Sequence, residues 1–459
     1  MAASGRARRT TQLGGLVGSE AAKQAAVRTT NMARSKAKGQ AALRERNAKL
    51  ADRLVTVLGG MRGGAMKFGQ MLSMMDGGII PADQREEFQR KLAELHANAV
   101  AMAWEPEMRV HLESELGMPV STAFARFDPE PVAAASIGQV YRARMHDGRD
   151  VAVKVQYPGI EAMALADIST IRVLLTMYRM LHPALDTTAM ADEIEGCLRE
   201  ELDYRIEARN TRMIARSYRG HPFIRIPEVV DSLSSQRVLV TEWIDGRPLN
   251  AAFGELQAER NRVAEIVFRF YGSTASRLRI YNGDPHPGNV LLRPDGSVCF
   301  LDFGLVKQID TGTAESELAI ARAAIDGDKA RVAEILRARG AVPGSRTPAA
   351  ATYRTYLSSL GWYLREGEFA ITPETVNKML TESSAFGGTA SSAGRRHNLP
   401  AEYTLRMRAE LQVAAVLGQL GARLNLRAIA REWLCDDEPA TELGHRQREW
   451  ENAFTTVIG

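Results

Sequence analysis

Cysteine is scarce: Cys197, Cys299 and Cys435 are the three in 459 residues. They show neither an even framework nor a metal-ligand spacing. That excludes a disulfide-stapled scaffold and a cysteine-held metal centre, and a reducing compartment is the simplest setting. Long apolar runs are also lacking. The best stretch, Met163 to Leu185, is broken by Asp167, Arg172, Arg179 and His182, short of the roughly 18 uninterrupted residues that a bilayer span needs. The first residues hold no apolar run of the secretory kind, so no signal peptide is expected. Nor is there a large charge of one sign. Lys and Arg number 59 against 55 Asp and Glu, a formal net charge of +4. No global field for nucleic acid follows, and no nucleic-acid partner is expected.

What is present is ordinary for a globular chain, with 45% apolar and 25% charged residues. The length exceeds one compact core and suits two lobes plus extensions. Positive charge gathers at the start, in Arg6, Arg8, Arg9, Lys23, Arg28, Arg34, Lys36, Lys38, Arg44 and Arg46. Three readings stand: a solvated basic arm, a segment touching anionic lipid or an acidic partner, and a transit-type peptide. The expected setting is cytoplasmic, with peripheral contact to a membrane.

Residues 1–40 read as the basic arm. Residues 41–117 read as a helical extension, because Leu43, Leu50, Leu54, Leu58, Met61 and Met71 return at helical steps. Pro81 opens a second helix, and a third runs from Pro106 to Leu116 before Gly117. From 118 to 243 the texture is a strand-bearing lobe. Val140–Arg144 and Val151–Val155 alternate around a His146-Asp147-Gly148 turn, predicting a hairpin. Helices are expected at Ile160–Leu181 and Ala189–Tyr218, then strands at Ile226–Val230 and Arg237–Trp243. From 244 to 459 the chain is mostly helical. It is interrupted by a strand pair, Val290–Leu292 and Val298–Leu301, and by a Gly/Ser-rich loop at 387–394. The class is α+β.

Three pieces stand in the order of protein kinases. Val151-Ala152-Val153-Lys154 is a strand ending in lysine, and an ammonium inside an apolar strand is costly unless anions meet it. In kinases that lysine holds the α- and β-phosphates and pairs with a helix glutamate. Asp284-Pro285-His286-Pro287-Gly288-Asn289 repeats the five-residue offset of the catalytic loop. Asp284 is expected to accept or orient the proton of an attacking hydroxyl, and Asn289 to bind Mg²⁺. A plain turn capped by Asp and Asn is the alternative. Leu301-Asp302-Phe303-Gly304 ends a strand, where Asp302 would bind Mg²⁺ and bridge it to phosphates. Any one motif is weak, but the ordered set predicts a bilobal protein-kinase-like fold. Val238 to Trp243 then reads as the strand into the interlobe hinge, where the backbone of Glu242 and Trp243 would meet adenine.

Several departures from ordinary kinases resemble the UbiB/ABC1 (AarF) family of atypical kinases. Where a glycine-rich loop is usual, this chain has Ala133-Ala134-Ala135-Ser136-Ile137-Gly138, similar to the family's alanine-rich loop. Alanine disfavours positive φ, so this loop would hold nucleotide in a more restricted way. Lys67-Phe68-Gly69-Gln70 resembles the KxGQ motif, and Glu201-Leu202-Asp203 the ExD motif, with Glu207 and Asn210 continuing the pattern. The resemblance implies that Glu207 pairs with Lys154 and Glu201 with Lys67, and that Asp203 reaches metal or nucleotide. All three acids are expected on one long helix. It further implies KxGQ helices over the mouth of the site, ATP or ADP with Mg²⁺, and a lipid or isoprenoid small molecule as substrate. The alternatives are a nucleotide-gated binding or chaperone-like protein and a protein Ser/Thr kinase. The resemblance covers about residues 41–310.

Overall fold

The structure, a computed structural model, describes residues 102–181, 187–340, 347–358, 360–379 and 401–458. The basic arm, the helices expected at 41–75 and after Pro81, Lys67, Gln70 and the 387–394 loop lie outside the described residues.

The elements run α1 (Arg109–Leu116), α2 (Val120–Ala123), β1 (Arg126–Phe127), β2 (Ala133–Ala134), β3 (Gly138–Arg144) and β4 (Asp150–Gln156). Next come α3 (Ile160–Leu181), α4 (Thr187–Glu201), α5 (Tyr204–Ser217), β5 (Ile224–Arg225), β6 (Val238–Glu242) and β7 (Arg247–Pro248). Then follow α6 (Gln257–Leu278), β8 (Ile280–Asn282), β9 (Val290–Leu292), β10 (Val298–Phe300) and β11 (Val306–Gln308). The remainder is α7 (Thr311–Ile325), α8 (Lys329–Ala338), α9 (Ala349–Ser358), β12 (Phe369–Ala370), α10 (Ala401–Gln419), β13 (Arg423–Leu424), α11 (Leu426–Leu434) and α12 (Glu442–Ile458). The mixture is the expected α+β class. Among the described residues no helix is long and apolar enough to cross a membrane.

The chain forms two compact units. The described part of the first comprises 102–108, 133–139 and 156–202. Its helices α3 and α4 are tied by Arg172, whose guanidinium donates to Asp192 and Glu195 at 2.7 Å each. Gln156 donates to the Leu202 carbonyl at 2.9 Å.

The second unit comprises 109–132, 140–155 and 203 onward. Its main sheet has the order β1-β3-β4-β6. The β3–β4 turn closes at Gly148, whose φ of +89° suits glycine. In β4, Val151, Val153 and Val155 are buried on one face. Each such side chain is worth about 1.5–3 kcal/mol of burial. The alternation sends Lys154 to the other face, opposite Leu239 in register.

The helix expected over Ala189–Tyr218 is two helices. Asp203 has extended backbone (φ −121°, ψ 92°) and its side chain accepts the Arg205 N–H, capping α5. An aspartate cap at that position outcompetes helix continuation. Glu201, Asp203 and Glu207 therefore do not share one helix. The strand expected at Ile226–Val230 is β5, two residues earlier and parallel to β10, and Val229 makes only a single bridge to Thr241. Pro227 has no N–H to give a ladder.

The helical part of this unit is built around α6, which buries Val263, Ala264, Ile266, Val267 and Phe270. Phe270 stacks on Phe300 with centroids 3.8 Å apart and meets Phe303 edge-on at 6.3 Å. Aromatic packing thus fixes the residues on both sides of Asp302 to α6. On the same helix, fully buried Arg269 donates to Glu265 at 2.7 Å and to both Glu432 oxygens at 2.7 and 2.9 Å. That joins α6 to α11.

Candidate functional site

Lys154 Nζ donates to Glu207 Oε1 and Oε2 at 2.9 and 2.8 Å. It also lies 3.5 Å from Asp302 Oδ2 and 5.0 Å from the Tyr204 ring centroid. Burial alone would push the ammonium down, but the charges of Asp302 and Glu207 outweigh it and hold the lysine well above its ordinary value. It is a fixed cation at every physiological pH. The Glu207 side chain is 7% exposed and that of Asp302 36%, so the second carboxylate keeps a face open.

Two asparagines set the acidic loops. From α5, Asn210 donates to the Phe303 carbonyl at 3.0 Å, one helical turn beyond Glu207. From the end of β8, Asn282 donates to the Asp302 carbonyl at 2.9 Å, while its Oδ1 accepts the Asp284 N–H at 2.9 Å. Sequence reasoning singled out neither role. Asparagine is disfavoured in strands, so one at the end of β8, two residues before Asp284, was the available signal.

The β8–β11 ladder pairs Asn282 with Val306, and Gly283 donates to the Leu305 carbonyl at 2.7 Å. A Cβ on Gly283 would stand 2.9 Å from the Leu305 side chain, so this close approach needs glycine. The β9–β10 hairpin brings Asn289 beside the end of β10, where the Leu301 N–H meets the Asn289 carbonyl at 2.9 Å. Gly304 N–H caps Asp302 Oδ1 at 2.9 Å. Tyr271 senses both aspartates: burial first, then the charges of Asp284 and Asp302, push its phenol far up. His286 Nδ1 accepts the Gly288 N–H at 3.0 Å and braces the loop turn. Among the described residues there is no group of three or more His, Cys, Asp or Glu able to hold a metal. One carboxylate and one amide, completed by phosphate oxygens and water, nonetheless suit Mg²⁺.

The other expected residues take various places. The Glu242 N–H is spent on the Glu228 carbonyl at 2.8 Å and the Trp243 N–H on the Asp150 carbonyl at 3.0 Å. This narrows the hinge expectation: adenine at these two residues would meet carbonyls only. The Trp243 indole lies under Arg142 at 4.7 Å and donates to Asp245. Asp203 has both carboxylate oxygens on Arg205, at 2.8 and 2.7 Å. That hydrogen-bonded pairing holds its carboxyl below the usual range. In the first unit Ala133 and Ala134 are exposed, Ala135 N–H turns onto the Gly138 carbonyl at 2.7 Å, and the Ser136 hydroxyl donates to Glu201 Oε1 at 3.2 Å. The partner expected for Glu201, Lys67, is outside the described residues.

The sequence profile of the ABC1 atypical kinase-like domain matches residues 94–336. The chain is 32% identical over 304 residues to the mitochondrial atypical kinase coq-8 of Caenorhabditis elegans, covering 65% of this chain and 39% of that protein. It is 34% identical over 283 residues to the mitochondrial atypical kinase COQ8B of Rattus norvegicus, covering 61% and 53%. AarF domain-containing protein kinase 1 of Mus musculus is 34% identical over 262 residues, covering 56% and 49%. The chain spans about half the length of the curated relatives it matches, or less. Among solved structures, that of Rv3197 with erythromycin from Mycobacterium tuberculosis is 31% identical. It covers 87% of this chain and 98% of its own, with a TM-score of 0.62. With the kinase-ordered motifs assembled in the second unit and the profile spanning more than half of the sequence, the chain belongs to the ABC1 atypical kinase-like family.

Proposed function

We propose that this protein binds ATP with Mg²⁺ and transfers its γ-phosphate to an acceptor or to water, leaving ADP, which the same site would also bind. The observation that carries the reading is the position of Lys154 between Glu207 and Asp302. A permanently charged ammonium beside a half-open carboxylate is a receptor for metal-bridged phosphate. Glu207 orients the ammonium, and Asp302 with Asn289 would hold the Mg²⁺, which supplies charge neutralisation at the phosphates when bound. Asp284, whose N–H is held by Asn282, would take or orient the proton of an attacking hydroxyl or water. Positioning and electrostatics supply most of such catalysis.

The acceptor we favour is a lipid or isoprenoid small molecule rather than a peptide, a reading that rests on the resemblance of the KxGQ segment to that of the family. The protein would meet it at a membrane surface. Phosphate release and transfer, measured with purified protein with and without anionic vesicles, tests this. Asp302→Asn is expected to abolish the Mg·ATP-dependent rise in melting temperature, and a full rise in that variant would remove Asp302 as the metal ligand.

A nucleotide-gated binding protein is the second reading. It is favoured by the solved relative Rv3197 being a small-molecule complex that matches nearly its whole length. Its mark is nucleotide binding without phosphate release, even with vesicles present.

A further inference from the structure

A cavity of about 410 Å³ lies in the helical part of the second unit, among α6, β8, α7, α10 and α11. Aromatic rings dominate its wall: Phe268, Tyr271, Trp362, Tyr363 and Trp433. Its shape depends on Gly272, where a Cβ would stand 2.9 Å from the Trp433 ring. Set into this wall are Glu317 of α7 and Glu410 of α10, with Arg406 between them. Arg406 donates to Glu317, and its Nε reaches Glu410 at 3.5 Å. Arg279 and Glu315, both exposed, also line the cavity. Inside, two carboxylates contact the guanidinium of Arg406, the three side chains keep 19–28% of their surface open, and Arg339 acts on Glu317 from the end of α8.

We propose that this cavity is a second ligand site, built for a small apolar molecule that carries one protonated amine. The aromatic walls take the apolar body, and ring faces attract a cation where water is excluded. The surplus carboxylate supplies the counter-charge that Arg406 leaves unmet. Burial, only partly offset by Arg406, raises Glu317 to about 7 and also pushes Glu410 up. In both, burial outweighs the attraction of the guanidinium, and an ammonium seated between the two carboxylates would favour their charged forms. A neutral apolar ligand would make no such contact, and an anion would repel them. The charged groups concerned are distinct from Lys154, Asp284, Asn289 and Asp302, while Tyr271 and Asn282 line the cavity and join its wall to the proposed nucleotide site.

The test is calorimetric titration of the full chain with three probes of one shape: 4-phenylbutylamine, 4-phenylbutanol and 4-phenylbutyrate. The amine is expected to bind one-to-one, the alcohol about tenfold more weakly, as loss of one partly desolvated charge contact implies, and the carboxylate not measurably. Glu317→Gln should bring the amine down to the alcohol, and Ala275→Phe, which fills the cavity, should remove both. Equal binding of amine and alcohol overturns the proposal, as does amine binding that survives both substitutions. The comparison of the three probes needs no substitution, so it decides the question even where a variant fails to fold.

Discussion

Asn210 of α5 holds the carbonyl of Phe303 at 3.0 Å, from the same helix whose Glu207 holds Lys154. One helix therefore grips both the strand lysine and the turn that follows Asp302. Both partners of the amide bond are buried, so Asn210→Leu would strand a carbonyl at a cost of about 1–3 kcal/mol. Urea unfolding should show that loss. The rise in melting temperature on adding Mg·ADP should shrink beyond what lowered stability explains. An undiminished rise would mean that the turn is held without Asn210.

Lys154 and Glu207 can be separated into stability and binding. Lys154→Met takes the ammonium from between two acids, and breaking a largely buried pair costs about 3–5 kcal/mol. Adding Glu207→Leu should restore most of the stability without restoring nucleotide binding. A double variant that bound Mg·ATP normally would contradict the phosphate role given to Lys154.

Replacing Ala133, Ala134 and Ala135 with glycine tests the restricted loop. Each change should cost about 0.5–1 kcal/mol through the entropy of the unfolded chain. The affinities for ATP and ADP are expected to change, because the freed backbone N–H groups can turn onto phosphate. Unaltered affinities for both nucleotides would count against the loop argument.

Glu317 sets a pH dependence. Its ordinary value is 4.5, and burial lifts it to about 7 in the folded protein. An acid with a raised folded value binds its proton more tightly when folded. The stability it contributes is full below about pH 4.5 and is lost as pH rises towards about 7. Glu317→Gln should flatten that part of the stability curve and be relatively more stable at pH 8. Melting curves from pH 5 to pH 8 that stay parallel for the two proteins would refute it.

The strand bearing Lys154 and the one leading to Asp302 were legible because β-branched alternation and turn residues are local signals. The β3–β4 hairpin, the β9–β10 hairpin and α3 lie where the periodicity put them. The break before Tyr204 was hidden because Asp203 is a cap only by virtue of its backbone angles, and its surroundings read as continuous helix. That the N–H groups of Glu242 and Trp243 are given to Glu228 and Asp150 was not legible, because those partners are set by tertiary pairing. Asn210 and Asn282 act across sequence separations of 93 and 20 residues, distances over which composition carries no information. The Glu317–Arg406–Glu410 cluster was invisible for the same reason: α7 and α10 meet only in the folded chain.

Asn282 spends both ends of its amide, one on the loop that begins at Asp284 and one on the backbone of Asp302. The two acidic loops are thereby stitched into a single mechanical part. Exchanging either loop alone for its counterpart from a relative would break the stitch, so a functional chimera would have to import the pair together with the asparagine that fastens them.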